Sequence, residues 1–158
     1  KYFILINMHI HQQPNAEKVL SLLNQSGLPV TGLQENSFED FLGCGEKNNP
    51  AGIVGVELLE GFGLLRSLVV AKESRSKGCG KSLLEIAERY AQSKGLKSLY
   101  VLTDTASGFF ARMGYLEVAL VKVPDIIRNS PGFIHLCSDN AVVMRKDVQV
   151  GHFISIYP

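Results

Sequence analysis

The sequence predicts an α/β fold built on one mixed sheet, in a single domain of 158 residues. Two apolar, β-rich runs, 51–59 and 63–71, are separated by three residues and predict a hairpin of central strands. The second run leads into a helical pattern over 80–94 and then into the apolar run 98–103. This strand–helix–strand order indicates a crossover between two strands of the sheet.

The elements before the hairpin are shorter. Residues 3–11 have the composition of a strand. Pro14 and Asn15 precede a helical pattern whose apolar stripe ends at Gly27, a typical helix terminator. Residues 41–44 predict a short strand, so strands flank the first helix.

The helix over 80–94 is the clearest element of the chain, because six apolar residues repeat at helical spacing and Gly95 ends the pattern. The later elements are a buried strand over 98–103, a short helix over 106–113, a strand over 115–123, a helical turn over 124–130, a strand over 141–146 and a strand-like C-terminal extension over 148–158. No repeat, low-complexity tract or linker divides the chain, which favours one domain over 1–158.

Charge is nearly balanced, with 16 basic and 15 acidic residues, which argues against a nucleic-acid or anionic-membrane partner. The first ten residues include an apolar run that is too short to span a bilayer and lacks a signal-peptide cleavage site, and Met8 is an alternative natural start. Three cysteines without metal-ligand spacing favour reduced thiols in a cytoplasmic protein without a metal site. A small-molecule partner is the remaining expectation.

The segment SRSKGCGKSLLE, residues 74–85, has two interpretations as a phosphate-binding loop. A nucleotide P-loop would end at Ser82 and need its first glycine at position 75, where the chain has Arg75. The alternative pattern R-x-x-G-x-G is met by Arg75, Gly78 and Gly80. In that pattern, amides at the start of a helix converge on an anion, and the glycines let a pyrophosphate approach them. We therefore favour the second interpretation.

This loop resembles the acyl-CoA loop of the GNAT family of N-acetyltransferases. LRSLVVAKESRSKGCGKSLLE, residues 65–85, follows that family's strand, loop and helix, and FFARMGY, residues 109–115, resembles its Phe-Tyr-x-x-x-Gly-Phe segment. The resemblance implies a mostly antiparallel sheet in which two neighbouring central strands splay apart, with acetyl-CoA bound in the gap as cosubstrate. Over 15–147 the chain more closely resembles the arsenic-operon-associated ArsN-type N-acetyltransferases, whose relatives acetylate amino-acid toxins and so imply a resistance function.

The resemblance also implies which residues hold the coenzyme. The backbone of Leu68, Val69 and Val70 would bind the pantetheine arm, and an amide near Leu68 would stabilise the oxyanion that forms when an amine attacks the thioester. The other implied contacts are the pyrophosphate loop and one aromatic side chain, namely Arg75, Ser76, Lys77, Gly78, Cys79, Gly80, Lys81 and Phe110.

Phe110 departs from the family pattern, because related enzymes often use a tyrosine at this position to protonate the leaving thiolate. Three alternatives remain open, and they are Tyr115, a nearby hydroxyl such as Ser107 or Thr105, and release of the thiolate without help. Tyr115 is our candidate for the catalytic acid, and its structural alternative is a core aromatic.

Glu57 is the candidate general base, because it is the one acidic residue in the apolar run 51–59. A carboxylate in such a strand costs free energy unless it is used or paired. Arg66 is the lone charge of LLRSLVV, residues 64–70, and its guanidinium suits a substrate carboxylate. A Glu57–Arg66 ion pair between adjacent strands is the structural alternative, and the two roles are compatible.

His135 and Arg128 are further candidates for contact with the acceptor. His135 and Cys137 point the same way if their segment is extended, and Arg128 lies on the turn after Pro124. Together with these candidate residues, the family resemblance implies an enzyme that acetylates the primary amine of a small, amino-acid-like molecule. The alternatives are an acyl-CoA-binding sensor or weakly catalytic module, which Phe110 favours, and a protein N-terminal or lysine acetyltransferase. The C-terminal extension also allows a homodimer through an added sheet strand.

Overall fold

A computed structural model describes residues 10–28 and 40–149 of the chain. In this part of the chain the strands are β1 (Ile10–Gln12), β2 (Phe41–Glu46), β3 (Asn49–Leu59), β4 (Phe62–Val70), β5 (Ser98–Thr103), β6 (Leu116–Val118) and β7 (Val142–Asp147). The helices are α1 (Ala16–Gln25), α2 (Cys79–Ser93), α3 (Ser107–Arg112), α4 (Asp125–Arg128) and α5 (Pro131–Leu136), and two 3₁₀ turns cover Lys72–Ser74 and Leu120–Lys122.

The described strands form one sheet in the order β1-β2-β3-β4-β5-β7-β6. Within it β4 and β5 pair in parallel, and the other neighbouring strands are antiparallel. The parallel pair arises because α2 carries the chain from the end of β4 back to the start of β5. The mixed, mostly antiparallel sheet with flanking helices confirms the predicted fold class.

The strands β4 and β5 separate before they end. Their pairing runs from Phe62 opposite Ser98 to Leu65 opposite Val101. On its other edge β4 keeps β3 as a partner as far as Val70. The edge of β4 that faces β5 is therefore open beyond Leu65, and this is the splayed strand pair that the family resemblance implies.

A bulge in β4 lies at the point of separation. The β3–β4 register shifts between Ile53 and Gly55, where one residue of β3 faces Ser67 and Leu68 of β4. Ser67 has a φ of 61°, in the left-handed region. A bulge of this kind bends its strand and increases the local twist. The bend accounts for the end of the pairing with β5.

Helices cover both faces of the sheet. The long helix α2 packs on one face, and its buried side chains join a core that extends across β2, β3, β4, β5 and β7. On the other face α1 packs against Phe41 and Ile53, while α4 and α5 bury Ile127 and Phe133 against Tyr100. The second face thus has two separate core clusters, one under α1 and one under α4 and α5.

Local signals place the ends of the two longest described helices where the sequence predicts them. Asn15 caps α1, and its Oδ1 accepts a hydrogen bond from the Lys18 backbone N–H at 3.2 Å. Gly27, just beyond α1, has a φ of 70°, and Gly95, just beyond α2, has a φ of 74°. Glycine adopts this left-handed conformation without the steric cost of a Cβ, and both helices end there.

The strand expected over 115–123 is confirmed only in part. The chain is extended as β6 over Leu116–Val118, and the 3₁₀ turn Leu120–Lys122 follows. β6 is the edge strand of the described sheet and pairs with β7 on one side. The chain then turns so that Val123 is buried in the core while Val121 is 80% exposed. The segment has a strand-like composition, but it turns after Val118 and so buries Val123.

The extended segment expected around His135 is wrong, because residues 131–136 form α5. The hydroxyl of Ser130 accepts a hydrogen bond from the Phe133 backbone N–H at 3.2 Å, and Pro131 occupies the first turn. A serine cap followed by proline is a helix-start signal that the sequence contains. The alternation of apolar residues with His135 hid this signal.

Several predictions reach beyond the described residues. Of the strand expected over 3–11, Ile10 and His11 lie in β1, and the rest falls outside. Val148 and Gln149 follow the end of β7 without strand structure, and the remainder of 148–158 falls outside. The C-terminal strand, the homodimer and the single-domain organisation stay predictions. No helix in the described ranges is long and apolar enough to cross a membrane.

Candidate functional site

The predicted pyrophosphate loop ends at the start of α2. Gly78 precedes this helix with a φ of 83°, and the Ser82 N–H donates to the Gly78 carbonyl at 3.1 Å. The N–H groups of Cys79, Gly80 and Lys81 come before that bond, so helix geometry leaves them without a partner inside the helix. Because α2 has 15 residues, its positive dipole end also attracts an anion here.

The side chains of this loop have different roles. Arg75 Nε donates to the Val70 carbonyl at 3.1 Å, so this side chain ties the loop to the end of β4. Cys79 is 3% exposed and its thiol packs in the core, which leaves its backbone for a ligand. Lys77 and Lys81 are exposed and supply positive charge to the same end of the helix.

A cavity of about 380 Å³ opens where β4 and β5 part. Its walls come from the β4 bulge, the end of β5, α3, and the C-terminal ends of α1 and α5. Its lining includes residues from the core under α2, such as Leu65 and Val101, and Leu28 and Leu102, which pack against the two core clusters of the second face. Its polar lining residues are Arg66, Ser67, Thr103, Asp104, Thr105, His135 and Ser138.

Arg66 is a buried charge in the wall of this cavity. It is 6% exposed, and within the described residues its Nε and Nη2 have no hydrogen-bond partner. Its Nη1 lies 4.0 Å from Glu57 Oε2, too far for a hydrogen bond. Burial lowers the pKa of Arg66, and the charge of Glu57 partly opposes this shift. A guanidinium in this state would be stabilised by an anionic ligand.

Glu57 lies beside Arg66 but is not among the described residues that line the cavity. Its Oε2 accepts a hydrogen bond from the Gly132 N–H at 3.1 Å, at the start of α5. Gly132 makes this approach possible, because a Cβ at that position would overlap Oε2. The carboxylate of Glu57 therefore links β3 both to the Arg66 charge and to the helix that carries His135.

Tyr115 lies in the core under α2 and does not line the described cavity. It is 1% exposed, and its hydroxyl donates to Glu88 Oε2 at 3.0 Å. The second oxygen of Glu88 accepts from Lys146 Nζ at 2.8 Å. Burial raises the pKa of Tyr115, and the adjacent Glu88 carboxylate raises it further. This geometry favours the structural role of Tyr115 over the role of catalytic acid.

His135 and Cys137 both line the cavity, which they reach from the C-terminal end of α5. Their position is a helix end and not the extended segment that we expected. Arg128 is not a lining residue of the described cavity, and it forms an ion pair with Asp125 on α4. This placement favours a surface role for Arg128 over contact with the acceptor.

Of the two hydroxyl residues considered as proton donors, Thr105 lines the cavity and Ser107 does not. Sequence reasoning missed Asp104 and Ser67 as lining residues of this site. Asp104 directly follows the apolar run of β5, and a polar residue at the end of a central strand was an available signal. Ser67 gave no such signal, because a bulge does not show in the hydrophobic pattern.

The loop and the cavity lie at opposite ends of the open β4 edge, and comparisons with known proteins identify the class that this arrangement belongs to. Residues 9–115 match the family model described as the acetyltransferase (GNAT) family. The chain is 48% identical over 63 residues, 40% of its length, to an uncharacterized N-acetyltransferase of Chlorobaculum tepidum. It is 33% identical over 66 residues, 42% of its length, to an amino-acid acetyltransferase of Ralstonia nicotianae. These matches span 40% and 15% of the two relatives.

Among solved structures, the fold is similar to that of N-acetylglutamate synthase from Neisseria gonorrhoeae complexed with coenzyme A and N-acetyl-glutamate. The TM-score is 0.75, with 90% of this chain and 35% of that chain covered. At 18% identity this likeness shows the fold alone. The family match spans more than half of the sequence, and the chain belongs to the GNAT family. The closer resemblance to the ArsN-type enzymes stays a prediction.

We expect Tyr115→Phe to lower stability without lowering acetyl transfer, because the hydroxyl serves Glu88 and not the cavity. Loss of one hydrogen bond to a carboxylate should cost about 1–3 kcal/mol of unfolding free energy, measured by urea denaturation. Tyr90→Phe is the matched control, since the Tyr90 hydroxyl donates to Asp40 Oδ1 at 2.7 Å. If folded Tyr115→Phe alone lost roughly 100-fold in kcat, Tyr115 would be the catalytic acid after all.

Proposed function

We propose that this chain transfers the acetyl group of acetyl-CoA directly to the primary amine of a small, amino-acid-like acceptor. The proposal is carried by Arg66, a buried guanidinium that lines the cavity and whose Nε and Nη2 lack partners in the described structure. A carboxylate matches both its charge and its planar donors. The similar proteins support this class of acceptor, since one is named an amino-acid acetyltransferase and another was solved with N-acetyl-glutamate.

Two features of the chain fit the coenzyme. The amides at the start of α2 are proposed to bind the pyrophosphate, and positions 78 and 80, which are glycines, add no Cβ to its approach. The β4 edge beyond Leu65 is open, so the backbone of Leu68, Val69 and Val70 is available to an extended pantetheine arm, as it would be to an added strand. When bound, the coenzyme supplies the acetyl thioester, and the Leu68 N–H is our proposed donor to its carbonyl oxygen.

Few of the proton donors considered from the sequence line the cavity, whose polar lining also includes Asp104 and His135. Phe110 lines it without a titratable atom, and Thr105 is the lining hydroxyl among the donors considered. We propose that the coenzyme thiolate leaves unaided, or takes a proton through the Thr105 hydroxyl, which regains a proton from water. Because Glu57 is engaged by Gly132, we assign removal of the amine proton to water, and Glu57 becomes a positioning residue for Arg66.

A second function is favoured by one observation. Phe110 is 4% exposed and packs between Phe109 and Tyr115, so the position of the usual acid is filled by an apolar ring. An acyl-CoA-binding sensor or weakly catalytic module would keep the coenzyme site and lack turnover. Release of free thiol from acetyl-CoA with an amine panel supports the enzyme, whereas stabilisation by coenzyme A without thiol release supports the binding module.

We expect Gly80→Val to weaken coenzyme A binding more than it lowers stability. The first atom of the new side chain has room, since a Cβ at Gly80 would meet Phe109 Cζ and Val70 Cγ2 at 3.8 Å each. Its branches would then occupy the approach of the pyrophosphate to the helix amides. Calorimetry with coenzyme A and melting temperatures measure the two effects, and ATP with magnesium is the control ligand. Stabilisation of the wild type by ATP but not by coenzyme A would refute the loop assignment.

We expect Arg66→Lys to raise the acceptor KM by roughly 10-fold or more, because lysine keeps the charge but loses the two-pronged fit to a carboxylate. The acceptor is first found by thiol-release screening with amino acids, phosphinothricin-like and arsenic-containing analogues, polyamines and peptides. Affinity for coenzyme A should stay at the wild-type value. Equal activity toward amines with and without a carboxylate would contradict the assigned role of Arg66.

For Glu57→Gln we expect a raised acceptor KM with little change in kcat, because the amide still accepts from Gly132 but no longer balances the charge of Arg66. The pH profile of kcat/KM should keep its acidic limb. If Glu57 were instead the general base, kcat/KM would fall by roughly 10²–10⁴-fold and that limb would disappear. Steady-state kinetics from acid to alkaline pH separate the two roles, with the melting temperature as the test of folding.

A further inference from the structure

Ser67 combines two unfavourable features at one position. It is the bulge residue of β4, and its φ of 61° lies in the left-handed region, where a residue with a Cβ is strained and glycine is not. It is also 9% exposed, and its Oγ is buried without a hydrogen-bond partner in the described structure. Glycine would relieve the strain and remove the unpaired hydroxyl at the same time.

A local structural role does not explain this serine. A hydroxyl that stabilised its own backbone would hydrogen-bond to a neighbouring carbonyl or amide, and Ser67 Oγ has no such partner within the described residues. Ser130 shows the contrast, because its Oγ both donates to the Ile127 carbonyl at 2.8 Å and accepts from the Phe133 N–H at 3.2 Å. Strain and an unpaired polar group often coincide at a site that acts on a ligand.

The position of Ser67 indicates which ligand group it meets. Arg66, Ser67 and Leu68 are consecutive and all line the cavity. Arg66 is the proposed carboxylate site, and the Leu68 N–H is the proposed site of the acetyl carbonyl. In an α-amino acid about to be acetylated, the amine lies between the carboxylate and the carbonyl carbon that it attacks. The order of the three residues along β4 matches the order of these three groups.

We propose that Ser67 Oγ accepts a hydrogen bond from the acceptor amine and so directs its lone pair toward the acetyl carbonyl. This inference rests on the proposed function and deepens it, because it restricts the acceptor to amines with a carboxylate on the same or a nearby carbon. The hydroxyl keeps its own proton, and the amine proton leaves to water. Ser67 is thus a residue of acceptor specificity that acts together with Arg66.

Two substitutions separate the hydroxyl of Ser67 from its backbone conformation. Ser67→Ala removes the hydroxyl and keeps the strained Cβ, whereas Ser67→Gly removes both. Ser82→Ala is the matched control, since Ser82 is 7% exposed with an unpartnered Oγ but does not line the cavity. The measurements are kcat and KM for the amine, affinity for coenzyme A, and melting temperature.

The first probes are L-glutamate and glutarate, which has the same carbon chain without the amine. If glutamate is not acetylated, the other common amino acids and their deaminated acids take their place. We expect both Ser67 variants to raise the amino-acid KM by roughly 10-fold, and to leave inhibition by the deaminated acid and affinity for coenzyme A unchanged. Arg66→Lys should weaken binding of the amino acid and of the deaminated acid by similar factors. Ser67→Gly should also melt at a higher temperature than the wild type.

Three results would overturn the assignment of Ser67. The first is wild-type kinetics in both Ser67 variants. The second is a raised amino-acid KM in Ser67→Ala that Ser67→Gly does not share. The third is equally weakened binding of the amino acid and of its deaminated acid in the Ser67 variants. The same experiment tests the proposed function separately. If the wild type neither acetylates nor binds any amine of the panel, the acetyltransferase proposal fails first and the role of Ser67 falls with it.

Discussion

The open edge of β4 is the constraint on which the rest of this structure depends. Backbone N–H and C=O groups that are buried without partners cost free energy, so a central strand rarely leaves one edge unpaired. Here pairing with β5 stops at Leu65, while β4 continues to Val70. The bulge at Ser67 prevents the sheet from closing, and the surrounding helix ends form a cavity in place of the missing strand contacts. A ligand with an extended amide-bearing arm can restore what the sheet lacks.

The buried charges of Arg66 and Glu57 are also left with incomplete partners, as the edge of β4 is. Arg66 is buried, and two of its nitrogen atoms have no hydrogen-bond partner in the described structure. Glu57 Oε2 lies 4.0 Å from Arg66 Nη1, so its charge partly balances that of the guanidinium without a hydrogen bond. The Glu57 carboxylate is itself held by the Gly132 N–H, which is accessible because position 132 has no Cβ. The guanidinium of Arg66 thus keeps N–H donors that a ligand could use. An arginine whose N–H groups all bond to a carboxylate has none left for a ligand. The longer contact between Arg66 and Glu57 therefore supports a binding role for Arg66.

Hydrophobic periodicity was sufficient to predict α2, β3, β4 and β5, because buried elements repeat their apolar residues with the period of the backbone. The sequence motif likewise predicted an anion-binding loop, and its glycines lie at the start of α2. The helix α5 was missed although Ser130 and Pro131 signal its start, because alternating apolar residues resemble a strand over such a short segment. The hydrogen bond from Tyr115 to Glu88 could not be predicted, since Glu88 lies on a different element. The bulge was also hidden, because its left-handed residue is a serine and not the glycine that would have marked it.

The hydrogen bond from Arg75 to the Val70 carbonyl affects how coenzyme affinity should respond to ionic strength. The side chain of Arg75 is tied to the end of β4, whereas Lys77 and Lys81, the other cations of the proposed pyrophosphate loop, are exposed and have no such bond in the described structure. Dissolved ions screen such charges beyond about 8 Å at physiological salt, whereas amides in direct contact with an anion are hardly screened. If the loop holds the pyrophosphate as we propose, the lysines would mainly set how fast the anion is captured from a distance, and the helix amides would set how long it stays. On this proposal, the residence time of the coenzyme would depend mainly on the backbone, which surface substitutions and salt leave largely intact.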